Sequence, residues 1–140
     1  MEITITMISF SYIKGYPTDP NGNGGGFVFD CRYLPNPGHE KELKTKTGLD
    51  PEVQTYLKDM PEVENLCKNI KAILEVAIQS YQQRGYTNLM VCFGCTGGQH
   101  RSVFVAEVIY KWLKATHSEL NLVLEHREQN KKKIFKAHET

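Results

Sequence analysis

Leu89-Met-Val-Cys-Phe-Gly-Cys-Thr-Gly-Gly-Gln-His-Arg-Ser102 begins as an unbroken apolar run and ends in glycines and polar residues. A strand that is hydrophobic at every position is buried on both faces, the habit of parallel sheets. Asn88–Phe93 is therefore read as a buried strand, Gly94–His100 as a tight loop, and Arg101–Lys114 as a helix. Gly97 and Gly98 allow a turn whose N–H groups converge. The following helix start adds unpaired N–H groups and the positive end of its dipole. A strand, a glycine turn and a helix N-terminus together bind an oxyanion. Gly94, Cys95, Thr96, Gly97, Gly98, Gln99, His100, Arg101 and Ser102 are the candidate ligand residues. Thr96 and Ser102 offer hydroxyl donors. Arg101 offers a two-pronged contact to phosphate and is expected to face the ligand, not the core. His100 either donates to phosphate or caps the helix.

The rest of the chain supplies matching elements. Glu2–Phe10 reads as a strand rich in Ile, Thr and Phe, and Phe27–Tyr33 as a second, buried strand. Between them the stretch Pro20–Gly26 is too rich in glycine to hold one conformation cheaply, and reads as a surface loop or a lid over a ligand. The prolines of Leu34-Pro-Asn-Pro-Gly38 end regular pairing. Asp50 before Pro51 is a helix cap with proline in the first turn, opening a short helix Pro51–Lys58. A second helix starts after Met60, with apolar residues Val63, Leu66, Ile70, Ile73, Leu74 and Ala77 at helical spacing and Gly85 as its C-terminal stop. Leu120–Leu124 is a fourth strand, and the charged tail 125–140 is expected to be helical. Helices alternating with strands give one α/β domain over residues 1–140, a three-layer sandwich around a mainly parallel sheet of about four strands.

Asp30 and Arg32 fall at the end of a strand that, in a parallel sheet, faces the same side as the Gly94 loop. Two uses stay open for them. Asp30 can accept from a sugar hydroxyl or amine while Arg32 reaches phosphate. Alternatively, an internal Asp30–Arg32 or Asp30–Arg101 pair holds the loops together.

The 140 residues are 40% hydrophobic and 24% charged, with a formal net charge of +1. That balance excludes a strong overall field, so nucleic-acid binding requires a local basic patch. No apolar run reaches membrane-spanning length and Met1–Phe10 lacks the features of a signal peptide. Cys31, Cys67, Cys92 and Cys95 sit in apolar patterns, which suits free thiols in a reducing cytoplasm. Cys92 lies inside a strand, whereas a redox pair opens a helix, and no second pair completes a zinc site. No metal and no cofactor are expected. The spacing Cys95-x5-Arg101-Ser102 also matches the loop of cysteine-dependent phosphatases, where a thiolate attacks phosphorus. Gly94 replaces the histidine usual before that cysteine, and no aspartate is an obvious general acid. A non-catalytic ligand-binding domain is the first reading and a cysteine phosphatase the alternative.

Gly94-Cys-Thr-Gly-Gly-Gln-His-Arg-Ser102 resembles the signature of the C-terminal domain of the RapZ/YvcJ family. Phe29-Asp-Cys-Arg-Tyr-Leu-Pro-Asn-Pro37 with Thr47-Gly-Leu-Asp50 forms a second matching block, and His126-Arg127 with Lys131-Lys-Lys133 a third. Full-length members are RNase adapters or nucleotide-binding regulators whose N-terminal half carries a Walker-type nucleotide site. No Gly-x4-Gly-Lys-Ser/Thr occurs here, so nucleotide hydrolysis is not carried over. The resemblance implies sugar-phosphate binding, as of glucosamine-6-phosphate, at Cys95–Ser102. It implies RNA binding through Arg127, Lys131, Lys132 and Lys133. It also implies self-association, or a protein partner supplying the missing domain.

Overall fold

The computed structural model describes residues 2–139. Thr140, the end of the charged tail, lies outside the described residues. β1 (Thr4–Ser11) is the middle strand of a five-stranded sheet. β3 (Asn88–Cys95) and β4 (Asn121–His126) run parallel to it on either side, with Thr4 opposite Asn88 and Asn121. β2 (Phe27–Asp30) pairs in parallel outside β3, from Phe27 opposite Val91 to Asp30 opposite Gly94. The α/β class and the mainly parallel sheet follow the sequence reading.

The fifth strand corrects it. The tail is not helical: a short turn at Arg127–Gln129 and a left-handed Asn130 (φ 53°) fold β5 (Lys131–Phe135) back antiparallel on β4. Its lysines are exposed and only Phe135 is buried. A strand with one buried residue shows neither apolar alternation nor an apolar run, so in sequence its charges resemble a helix face.

Three helices pack on one face of the sheet. α2 (Pro61–Arg84) buries Val63, Cys67, Ile70, Leu74 and Ile78, spaced three or four apart as one helix face requires. Gly85 ends it at φ 71°, where a side chain would be strained. α1 (Pro51–Lys58) buries Val53 and Leu57. Asp50 precedes it but caps elsewhere, its carboxylate accepting from Thr47 N–H at 2.8 Å. α3 (Arg101–Thr116) is buried continuously from Arg101 to Glu107, as a helix wedged between sheet and neighbours must be. Ile3, Ile5, Met7, Leu89, Val91, Phe93, Leu122 and Leu124 form the sheet's side of that core. The opposite face holds Ile8, Phe10, Met90 and Cys92 under Tyr12, with no residue of the three α-helices among them. The third layer is therefore the segment that follows β1, not a row of helices.

One buried polar chain crosses the core. Ser9 Oγ lies 2.7 Å from His126 Nδ1, His126 Nε2 2.9 Å from Glu107, and Glu107 accepts from Lys133 Nζ at 2.8 Å. It fastens β1, β4, β5 and α3 together. Burial pushes the Glu107 carboxyl up, but the hydrogen bonds from His126 and Lys133 outweigh it and hold the group down, from 4.5 to about 2. A lowered folded value means stability that is present above pH 4.5 and is lost as pH falls toward 2. Glu107→Gln is expected to cost about 2 kcal/mol at neutral pH, the range for hydrogen bonds to a charged group. Thermal melts of the two proteins should converge as the pH is lowered through that window.

Candidate functional site

The carboxyl ends of β1, β2, β3 and β4 come together because the four strands are parallel. The loop from Gly94 to His100 rises there and runs directly into α3. Gly94 has no room for a side chain, since a Cβ would lie 2.5 Å from the rings of Phe10 and Tyr12. Gly98 is left-handed (φ 69°), and a Cβ there would press on the Ser11 nitrogen at 2.9 Å. The two glycines thus lay the loop tightly across the end of β1.

The backbone of the loop is polarised. Its carbonyls are held by donors from the surrounding protein. Ser11 Oγ–H donates to the Thr96 carbonyl at 2.7 Å, Gln129 Nε2 to Gly98 at 2.9 Å, and Gly48 N–H to Gln99 at 2.8 Å. Phe104 N–H takes the His100 carbonyl at 3.0 Å. Among the described residues, the N–H groups of Gly97 through Arg101 donate to no protein acceptor. A row of free N–H groups at the start of a sixteen-residue helix has the chemistry to receive an anion.

Cys95 and Ser102 sit below the cradle, 2% and 0% exposed. Their side chains are 3.1 Å apart, and the Ser102 N–H is directed at Sγ at 3.5 Å. All four cysteines are buried and free. Burial pushes Cys31, Cys67 and Cys92 above the ordinary thiol range, to about 11 for Cys67 and about 12 for Cys92. Among the described residues, no cluster of three His, Cys, Asp or Glu side chains is arranged for a metal ion. No helix among them is long and apolar enough to cross a membrane.

Arg101 departs from the expectation that it faces only the ligand. It is 5% exposed, and its Nη1 donates to the backbone carbonyls of Arg32 and Leu34. Its Nε is buried with no acceptor among the described residues. Arg101 thus clamps the proline turn after β2 onto the start of α3. His100 likewise reaches sideways, its Nε2 donating to the Leu43 carbonyl at 3.1 Å. Gly48 packs so closely on α3 that a Cβ would meet the His100 carbonyl at 2.5 Å. The Thr47-Gly-Leu-Asp50 block is thereby a docking surface for the loop as well as a helix start.

Asp30 and Arg32 form the internal pair, Arg32 Nη2 lying 2.7 Å from the carboxylate, and both are about half exposed. Arg32 holds the Asp30 carboxyl below its ordinary value. The Arg32 guanidinium lies 3.7 Å over the Tyr12 ring. The pair stands beside the Gly94 loop, because Asp30 is opposite Gly94 in register. The glycine-rich segment 20–26 does not cover the loop: Gly26 leads into β2 beside Met90, toward the opposite end of β3.

Several residues of the site were not read from the sequence. The side chain of Glu128 is only 4% exposed, accepts from Ser11 N–H at 2.9 Å and pairs with Arg127 and Lys14. Gln129 braces Gly98 and Gln99. Arg127 is held by Glu128 and donates to the Gly15 carbonyl at 2.9 Å, so it braces the segment that follows β1. The signal for these was present in the His126-Arg127 block, whose role became clear only when β4 delivered it to the loop.

The family model described as the RapZ C-terminal domain matches residues 3–130. A nucleotide-binding protein of Thermotoga petrophila is 42% identical over 79% of this chain and 38% of its own length. Nucleotide-binding proteins of Psychrobacter and Lysinibacillus sphaericus are 37% and 38% identical, over 91% and 93% of this chain and 39% and 41% of theirs. The chain spans about two fifths of the length of these curated relatives.

Two substitutions probe the cradle. Gly98→Ala forces a side chain into a left-handed position against backbone atoms and is expected to cost about 1–3 kcal/mol in urea denaturation. Arg101→Ala leaves the carbonyls of Arg32 and Leu34 without their donor. It is expected to destabilise the fold by a similar amount in the same assay.

Proposed function

The chain belongs to the RapZ C-terminal domain family, and we propose that it is a regulatory domain whose Cys95–Ser102 loop binds the phosphate of a phosphorylated amino sugar such as glucosamine-6-phosphate. The observation that carries this reading is the polarised backbone. Carbonyls at Thr96, Gly98, Gln99 and His100 are taken up by the protein, while the N–H groups of Gly97–Arg101 are free. The buried, unpartnered Nε of Arg101 adds a fixed cationic donor at the same helix start. Asp30, half exposed and ionised beside Gly94, is placed to accept from an ammonium or hydroxyl of the sugar. Arg32 keeps Asp30 ionised and flanks the same opening.

Ser102 and Cys95 support the loop from beneath. A thiol that is 2% exposed and hydrogen-bonded to a serine serves as a neighbour of the anion, and the domain acts by binding, without turnover. Buried free thiols fit a reducing, cytoplasmic setting.

The edge strand supports a second, weaker contact with RNA. Lys131 and Lys132 are exposed on β5, whereas Lys133 is engaged with Glu107. Two phosphate contacts give a shallow salt dependence, with a log–log slope of about −1.4 to −1.8. The rest of a longer protein, or a second copy, is the natural protein partner for a chain two fifths the length of its relatives.

Calorimetric titration with glucosamine-6-phosphate and with inorganic phosphate tests the main reading. Arg101→Lys keeps a charge but loses the planar fork, and should weaken binding about tenfold. Equal affinity in the folded variant would place the phosphate elsewhere. In gel shifts, replacing Lys131 and Lys132 by Gln should remove most of any RNA retardation, and retardation that persists unchanged would exclude β5.

A further inference from the structure

The glycine-rich segment after β1 has no part in the phosphate loop, yet it is not left loose. Asp19 organises it: one carboxylate oxygen accepts from Asn21 N–H at 2.9 Å, the other from Asn23 N–H at 2.9 Å and Gly25 N–H at 3.1 Å. These bonds hold the Asp19 carboxyl below its ordinary value. Gly22, Gly24 and Gly25 all have positive φ, so the bend they make is closed to other residues. The segment walls a cavity of about 450 Å³ at the start of β3. Asn21, Asn23 and Asn88 line it with amides, and Tyr81 and Tyr86 with rings. The rings meet edge to face, centroids 5.3 Å apart, and Tyr86 is 51% exposed. The left-handed Gly85 turns Tyr86 off the end of α2 to reach this position.

We propose that this cavity is a second binding site, distinct from the anion loop, and that it takes an unphosphorylated saccharide. The lining decides the class. No lysine, arginine or histidine faces the cavity, so phosphate and carboxylate ligands find no counter-charge. Asp19 is the single carboxylate, and its oxygens already accept three N–H bonds, which leaves it poorly placed to capture a cation. Three side-chain amides offer donors and acceptors together, the match for neighbouring hydroxyls, although one Asn88 N–H is already given to Thr87 Oγ1 at 3.2 Å. An exposed tyrosine gives the apolar face of a sugar ring a surface to lie on. A few polar groups beside aromatic rings in a concavity of this size is the usual make-up of a small-molecule site. β3 is eight residues long, so the cavity and the anion loop are separated by roughly 20 Å.

Glucose, N-acetylglucosamine and maltotriose, titrated into the whole chain and followed by two-dimensional amide NMR, test the proposal. At least one should shift residues 19–25 and 85–88 while leaving Gly97, Gly98 and Ser102 in place. Tyr86→Ala should weaken that binding about tenfold or more. Asn88→Ala, which leaves both rings, should weaken it less, and the amide spectrum itself reports whether each variant is folded. No shift with any of the three sugars up to about 50 mM, beyond any specific affinity, would overturn it. Shifts confined to the anion loop, or binding indifferent to both substitutions, would do the same. Arg101→Lys is expected to leave this binding unchanged, which separates its outcome from that of the phosphate reading.

Discussion

A guanidinium buried between two loops sets the geometry of the site. Arg101, the first residue of α3, reaches back to the carbonyls of Arg32 and Leu34, where the chain leaves β2 and enters its proline turn. A buried charge is tolerated only when its donors are used, and here Nη1 is satisfied while Nε is not. The incomplete satisfaction matters. One arm of the side chain makes the fold, and the other keeps a donor that, in the proposed reading, an oxyanion would use. In that reading one residue serves both structure and binding, and removing the side chain altogether would disturb both.

The parallel sheet supplies the rest. Four strands ending on one side bring Ser11, Asp30, Cys95 and His126 to a common edge, although they are far apart in the chain. The turn after β4 then sends Glu128 to the Ser11 amide and Gln129 to the Gly98 carbonyl. Each of these contacts occupies a group that would otherwise compete for the loop's own N–H donors. The buried Ser9–His126–Glu107–Lys133 chain lies under the same edge and fixes β4 against α3. The loop keeps free N–H groups because its neighbours take its carbonyls.

The sequence was most legible where one physical rule governed. The apolar run to Phe93, the helical spacing along α2 and the stop at Gly85 each follow from burial or backbone freedom, and each stands where expected. β5 was not legible, because Lys131-Lys-Lys133-Ile-Phe135 is held by its hairpin, by one buried phenylalanine and by the Lys133–Glu107 pair. Arg101 was found as a candidate but given half its role. Its partners are backbone carbonyls nearly seventy residues earlier, and a carbonyl has no signature in sequence. The glycine-rich segment was open between a loose loop and a lid. What ordered it was a single aspartate accepting from three N–H groups, which composition does not reveal.

We propose that the free N–H groups between Cys95 and Ser102 hold a phosphate. A crystal structure of this chain with glucosamine-6-phosphate tests it most directly. The account predicts the phosphate oxygens within hydrogen-bond distance of the Gly97–Arg101 amides and of the Arg101 side chain, with the sugar toward Asp30. A sugar phosphate bound at any other place, with the loop ordered and its N–H groups turned to protein or solvent, would contradict it.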